Sequence, residues 1–249
     1  MSDGHHFLYA REEQKFKCEA AMIQEINFEL PFRDRMEAGR FLAHRLQAYA
    51  QRADVVVMVL PRGGVPVAAE IAAAIQAPLA ALVVRKLGVP GHEELAMGAV
   101  TSGGKRFINR SVTIPLHISH SEIESVVQRE LREVSRRERL YCRGQEIPAV
   151  RGKTVILTDD GIATGSTMQL AVQALREQGA ARIVIAVPVA PAETIPWLHQ
   201  IADELVCRAT PEPFDAVGRW YEDFHQVDDH EVCLILDRVI ERTRLAQSA

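Results

Sequence analysis

Two stretches of this chain share one pattern, and that pattern restricts the fold more than any other feature. The first runs "ADVVVMVL" (53–60), "PRGG" (61–64), "VPVAAEIAAAI" (65–75). The second runs "VILT" (155–158), "DDGIATGST" (159–167), then a helically spaced stretch to about Gln178, with Gly179 as its stop. Each is a short apolar run, a turn of small residues and a helix. A continuous apolar run of this length predicts a strand buried on both faces, as in a parallel sheet. Pro66 is tolerated near a helix start, where a missing N–H costs little. Further strands are predicted at "PLAALVVRK" (78–86), "ARIVIAVPVA" (181–190) and "DELVCRA" (203–209). Strands alternating with helices predict an α/β domain whose ligands sit beyond the carboxyl ends of the strands.

The remaining segments are assigned by caps and periodicity. Residues 1–30 lack clean periodicity and read as an N-terminal extension without regular structure. The domain is expected over 31–249, with its core at about 53–207. Asp34 and Glu37 form a capping-box pattern, and Met36, Gly39, Leu42, Leu46 and Tyr49 then share one helical face. Ser121 with Glu124 predicts a helix over about 121–141, apolar along Ile123, Val127, Leu131 and Val134. Its arginines between Arg132 and Arg139 read as a solvated charged face. Residues 87–105 hold five glycines, so they read as a long mobile loop with room for short flanking strands. "EVCLILDRVI" (231–240) predicts a C-terminal helix.

Composition excludes several classes. With 29 basic and 33 acidic residues the net charge is −4, which argues against a nucleic-acid partner. The four cysteines form no C-x-x-C pair, so neither a zinc site nor a redox motif is suggested. No apolar run approaches the roughly 20 residues of a membrane span, and the N-terminus has no signal-peptide core. A cytoplasmic location is expected.

The second loop carries the chemistry. A helix N-terminus offers free backbone N–H groups and a partial positive charge, which suits phosphate. In "ATGST", Ala163, Thr164, Gly165, Ser166 and Thr167 have small side chains that let the backbone close on an anion, and three of them add hydroxyls. The lysine and spacing of a Walker P-loop are missing. Asp159 and Asp160 would repel a phosphate, so they must address another part of the ligand: hydroxyls or a bound cation. A phosphorylated sugar with vicinal hydroxyls meets both requirements.

"VILTDDGIATGST" resembles the phosphoribosyl-diphosphate signature of type I phosphoribosyltransferases, and the order of parts from about Phe32 onward is similar to a bacterial branch of that family. The resemblance implies a central, mostly parallel five-stranded sheet with helices on both faces. It also implies a small hood, from the N-terminal segment and 208–249. It implies that Asp159 and Asp160 hold the ribose hydroxyls and act in catalysis with Lys86, and that 163–167 hold the 5′-phosphate. Arg62, Gly63, Gly64, Arg85 and Lys86 match pyrophosphate-binding positions. In relatives the loop matching "PRGG" often contains a cis peptide. The 87–105 stretch matches a mobile lid. Mg²⁺ would be held mainly by the substrate, with no dedicated metal ligands in the chain. Pyrophosphate would be displaced from the anomeric carbon by a nitrogenous base or amine. Enzymes for 6-oxopurines usually carry aspartate where this chain has Ala163, which argues against hypoxanthine or guanine. Phe214, Trp220 and Tyr221 are candidates to stack on a base. A homodimer is expected by analogy. Two other readings compete: a non-catalytic sensor of phosphoribosyl diphosphate or a nucleotide, and a synthase or phosphorolytic relative. No ATP-binding signature supports the synthase.

Overall fold

A computed structural model describes residues 30–142 and 147–247; apart from Leu30, the N-terminal extension lies outside the described residues. The elements in chain order are α1 (Arg35–Arg45), β1 (Val55–Val59), α2 (Gly64–Ile75), β2 (Leu79–Ala81), β3 (Val84–Val89), β4 (His92–Thr101), β5 (Lys105–Ile108), α3 (Arg110–Thr113), α4 (His120–Cys142), β6 (Thr154–Thr158), α5 (Ser166–Glu177), β7 (Arg182–Val189), α6 (Ile195–Ile201), β8 (Glu204–Ala209) and α7 (Asp229–Gln247).

Five strands form one sheet in the order β2-β1-β6-β7-β8, and every neighbouring pair is parallel. Alternate residues serve opposite faces. Val55, Val57, Val59, Ile156, Val184 and Ala186 join one core cluster, with side chains of α1, α2, α4 and α7. Val56, Met58, Val155, Leu157, Ile183, Ile185 and Val187 join the other, with α5 and α6. Burial on both faces explains why these strands read as unbroken apolar runs rather than alternating ones. This is the α/β architecture expected from the sequence.

The segment 87–105 departs from expectation. It is not a long loop but most of a three-stranded antiparallel sheet, ordered β3-β4-β5. "PLAALVVRK" accordingly divides between β2 and β3. The glycines that suggested a loop sit where backbones come close. A side chain on Gly88 would meet the Glu93 backbone, and one on Gly98 would meet the Phe107 carbonyl. Only Gly91, Gly103 and Gly104, with φ of 77°, 75° and 68°, make the turns.

Two caps refine the helix starts. Asp34 accepts from the Glu37 backbone N–H at 2.7 Å, and Glu37 accepts from the Arg33 N–H at 2.6 Å. The buried stripe of α1 is Arg35, Ala38, Gly39, Leu42 and Ala43, whereas Met36 is 47% exposed. Met36 is therefore not part of the inward face; Arg35 is. α4 is capped by Ser119 and Glu122, two residues before the expected pair, with the Ser119 N–H donating to Glu122 at 2.9 Å.

Beyond β8 the chain returns over the strand ends and pairs with the segment before α1. The Phe32 N–H donates to the Trp220 carbonyl at 2.8 Å, and the Glu222 N–H donates to the Phe32 carbonyl at 2.7 Å. α1 and α2 meet at Gly39, where an added Cβ would lie 2.6 Å from the Val67 carbonyl and 2.8 Å from Glu70 Cβ. Gly39→Val is expected to lower unfolding free energy by about 1–3 kcal/mol, read as a fall in the urea midpoint at unchanged m-value.

Candidate active site

β1 and β6 are neighbours in register, with Val59 opposite Thr158, so the loops that follow them start side by side. The Leu60 N–H donates to the Thr158 carbonyl at 3.1 Å, carrying the pairing one residue past the strands. "PRGG" then turns into α2, and its Pro61–Arg62 peptide is cis. The two glycines lie against the two aspartates. A Cβ on Gly63 would overlap the Asp160 carboxylate, and one on Gly64 would lie 2.8 Å from Asp159 Cα. Glycine is required here by contact, since neither residue has a positive φ.

The acidic pair is enclosed. The Asp160 side chain is 14% exposed, and its Oδ2 accepts from Arg35 Nε at 2.8 Å. The Asp160 carbonyl accepts from the Tyr221 hydroxyl at 2.6 Å, and Asp159 Oδ1 accepts from the Asp160 N–H at 2.8 Å. Burial raises the Asp159 carboxyl well above the usual carboxylate range, and the neighbouring Asp160 charge raises it further. Burial raises Asp160 too, against the opposing pull of the Arg35 guanidinium.

The next loop faces solvent. Ala163, Thr164, Ser166 and Thr167 are exposed, while Gly165 is buried with φ 73°. Gly165 is the N-cap of α5, and the Trp197 ring from α6 occupies the place a side chain would need. The backbone there lies against the indole, and Ser166 and Thr167 at the start of α5 are exposed.

A family description settles what this arrangement belongs to: a phosphoribosyl transferase domain matches residues 33–214. The chain is a member of the phosphoribosyl transferase family. Two Mycobacterium tuberculosis proteins are 46% identical to it over 207 residues, which is 83% of this chain. They are named "Putative phosphoribosyl transferase MT0597" (strain CDC 1551 / Oshkosh) and "Putative phosphoribosyl transferase Rv0571c" (strain ATCC 25618 / H37Rv). The match spans only 46% of each, so the chain covers about half the length of these curated relatives. A crystal structure of TT1426 from Thermus thermophilus is 39% identical, with a TM-score of 0.75, covering 82% of this chain and 97% of that one.

Within this phosphoribosyl transferase domain the expected residues divide into two groups. Arg62, Gly63, Gly64, Asp159, Asp160 and 163–167 gather at one sheet edge. Arg62 is exposed and lies 3.9 Å from Asp229 at the start of α7. Arg85 and Lys86 each hold an ion pair of their own: Arg85 pairs with Glu130 of α4 at 3.0 Å, and Lys86 with Glu94 of β4 at 3.3 Å. Of the three aromatic candidates, Phe214 and Trp220 are half-buried and stacked on each other, with ring centroids 6.3 Å apart. Tyr221 is a correction. It is 5% exposed and packed between Phe32 and Phe224, so it supports Asp160 instead of stacking on a base.

Three residues of the site were not singled out from the sequence: Arg35, Trp197 and Phe224. Arg35 had only a weak signal: it shares a helical face with Ala38, Leu42 and Ala43, but the pattern read from the sequence placed Met36 inward. Trp197 and Phe224 had none, because each reaches its partner only through the fold.

The hood also carries a histidine clasp. His225 Nδ1 lies 3.0 Å from Asp223, and Nε2 lies 3.4 Å from Glu231 of α7. The bond to Asp223, then that to Glu231, raises the His225 pKa above its ordinary value. The stabilisation this gives is full below the ordinary histidine range and is lost as pH rises through the raised pKa. An NMR titration should find His225 above the ordinary value, and Asp223→Asn should bring it down. A second expectation concerns the glycine contact. Gly63→Ala should displace the Asp160 carboxylate and lower unfolding free energy by about 1–3 kcal/mol; the urea midpoint reads it.

Proposed function

We propose that this domain transfers the 5-phosphoribosyl group from phosphoribosyl diphosphate to a nitrogenous base or amine and releases pyrophosphate. One observation carries the reading: a paired carboxylate, an open helix N-terminus lined by small residues, and a glycine turn stand together at two adjoining strand ends. The α5 N-terminus and the hydroxyls of Thr164, Ser166 and Thr167 suit the 5′-phosphate. Asp159 and Asp160 suit the ribose hydroxyls. The "PRGG" turn offers Arg62 and backbone to the pyrophosphate.

In this reading Asp159 and Asp160 orient the sugar and face the positive charge that develops on the ribose ring as the bond to pyrophosphate stretches. Hood and antiparallel sheet limit water at the reacting carbon. Among the described residues no three His, Cys, Asp or Glu side chains gather as a metal cage. Two carboxylates beside a phosphate loop fit a Mg²⁺ that arrives on the pyrophosphate and keeps several waters. When bound, that ion neutralises the leaving group.

The test is a thermal shift with Mg²⁺ and phosphoribosyl diphosphate against Mg²⁺ alone. At about 100 times Kd the ligand should add roughly 2.7 kcal/mol, or about 5–10 °C for a chain of this size. Asp159→Asn/Asp160→Asn should lose the shift. Pyrophosphate release is then screened against a panel of bases and amines. Binding without release from any acceptor would favour the sensing alternative. No shift at millimolar ligand would overturn the phosphoribosyl reading.

A further inference from the structure

Arg35 is a costly residue to bury. It is the first residue of α1, where the helix dipole disfavours a cation, and its side chain is only 7% exposed. A buried ion pair gives little net stability unless its geometry and hydrogen bonds are complete. Here they come from two separate parts of the chain, Asp160 and the 221–225 segment. Nε donates to Asp160 Oδ2 at 2.8 Å. Nη1 donates to the His225 carbonyl at 2.9 Å. The guanidinium lies over the Phe224 ring, 3.8 Å from its centroid, with the Tyr221 ring at 5.9 Å. α1 does not need this arrangement for its cap, which Asp34 supplies.

The contacts converge on one carboxylate. Asp160 is held at its side chain by Arg35 and at its carbonyl by the Tyr221 hydroxyl. Gly63 closes the space on another side. A free aspartate rotates about two soft torsions, whereas a hydrogen bond to a hydroxyl needs a defined acceptor direction. Bound geometry of that kind is what pre-organised sites supply.

We propose that Arg35 is a positioning residue for the sugar site: clamped by Phe224 and the His225 carbonyl, it fixes the direction in which Asp160 meets the hydroxyls of a phosphorylated pentose. This rests on the ribose reading of the acidic pair given above. It also makes the hood part of the sugar site, because the clamp is built by Tyr221, Phe224 and His225. The charged and titratable groups facing Asp160 are Asp159, Arg35 and the Tyr221 hydroxyl, and Asp223 faces Arg35 from the hood.

The experiment compares two probes, ribose 5-phosphate and inorganic phosphate, by titration calorimetry across pH. Wild-type protein is expected to bind both. Arg35→Gln should weaken ribose 5-phosphate by about tenfold or more, the loss of a charged hydrogen bond, and leave inorganic phosphate unchanged, since the contacts of Arg35 are with Asp160 and the 221–225 segment and not with the 163–167 loop. The pH below which ribose 5-phosphate binding falls should move upward in Arg35→Gln, because Asp160 loses its counter-ion. Arg35→Lys should bring that limb back toward wild type without restoring full affinity, as a point charge lacks the guanidinium fork. Phe224→Leu keeps the charge and removes the aromatic plate; it should weaken ribose 5-phosphate alone, and covers the case in which Arg35→Gln fails to fold. Arg35→Gln protein that binds ribose 5-phosphate like wild type, with an unmoved limb, would overturn the proposal. So would an equal loss of both probes, which marks a purely structural role. Wild-type protein that takes phosphate but ignores ribose 5-phosphate would overturn the sugar reading itself, and the proposal with it.

Discussion

The site depends on how closely two loops can approach. β1 and β6 are hydrogen-bonded neighbours, so the turns that follow them compete for the same space. Any side chain at Gly63 would enter the Asp160 carboxylate, and any at Gly64 would press on Asp159. Two missing side chains therefore let two carboxylates and the "PRGG" turn share one sheet edge. The parallel sheet supplies the register, and the glycines supply the clearance.

Charge is the second constraint. Adjacent carboxylates enclosed by protein resist ionisation together. A single guanidinium, Arg35, bonds directly to Asp160 and reaches Asp159 only through space. The two aspartates are thus chemically unequal although they are neighbours in sequence. Asp159 accepts from the Asp160 backbone N–H and is otherwise disfavoured as an anion by burial, while Asp160 is tied through Arg35 to the hood. The hood is in turn fixed by backbone pairing to the segment that starts α1.

What was legible in the sequence was local. β1, α2, β6 and α5 follow from apolar runs, turn residues and period, and the acidic pair with its small-residue loop stands in one continuous stretch. What was not legible depended on distance or on a tie. Ser119–Glu122 and Ser121–Glu124 have the same spacing, so cap chemistry alone cannot choose between them, and packing of α4 decides. Glycines in 87–105 weigh toward a loop when counted, yet Gly88 and Gly98 are places where strands touch. Lys86 looks free at a strand end until β4 folds back and brings Glu94 to it. Arg35 and Asp160 are 125 residues apart, and no local pattern links them.

The contact between Gly165 and Trp197 has a consequence for observing the protein. The chain has two tryptophans, and both stand beside the candidate site: Trp197 under the loop that caps α5, Trp220 in the hood stacked on Phe214. Indole emission responds to local polarity and to nearby charge. The protein's tryptophan fluorescence therefore originates entirely around the candidate site, one emitter against Gly165 and one against Phe214. Occupancy of the candidate site can be followed by light, without a label and without knowing the acceptor.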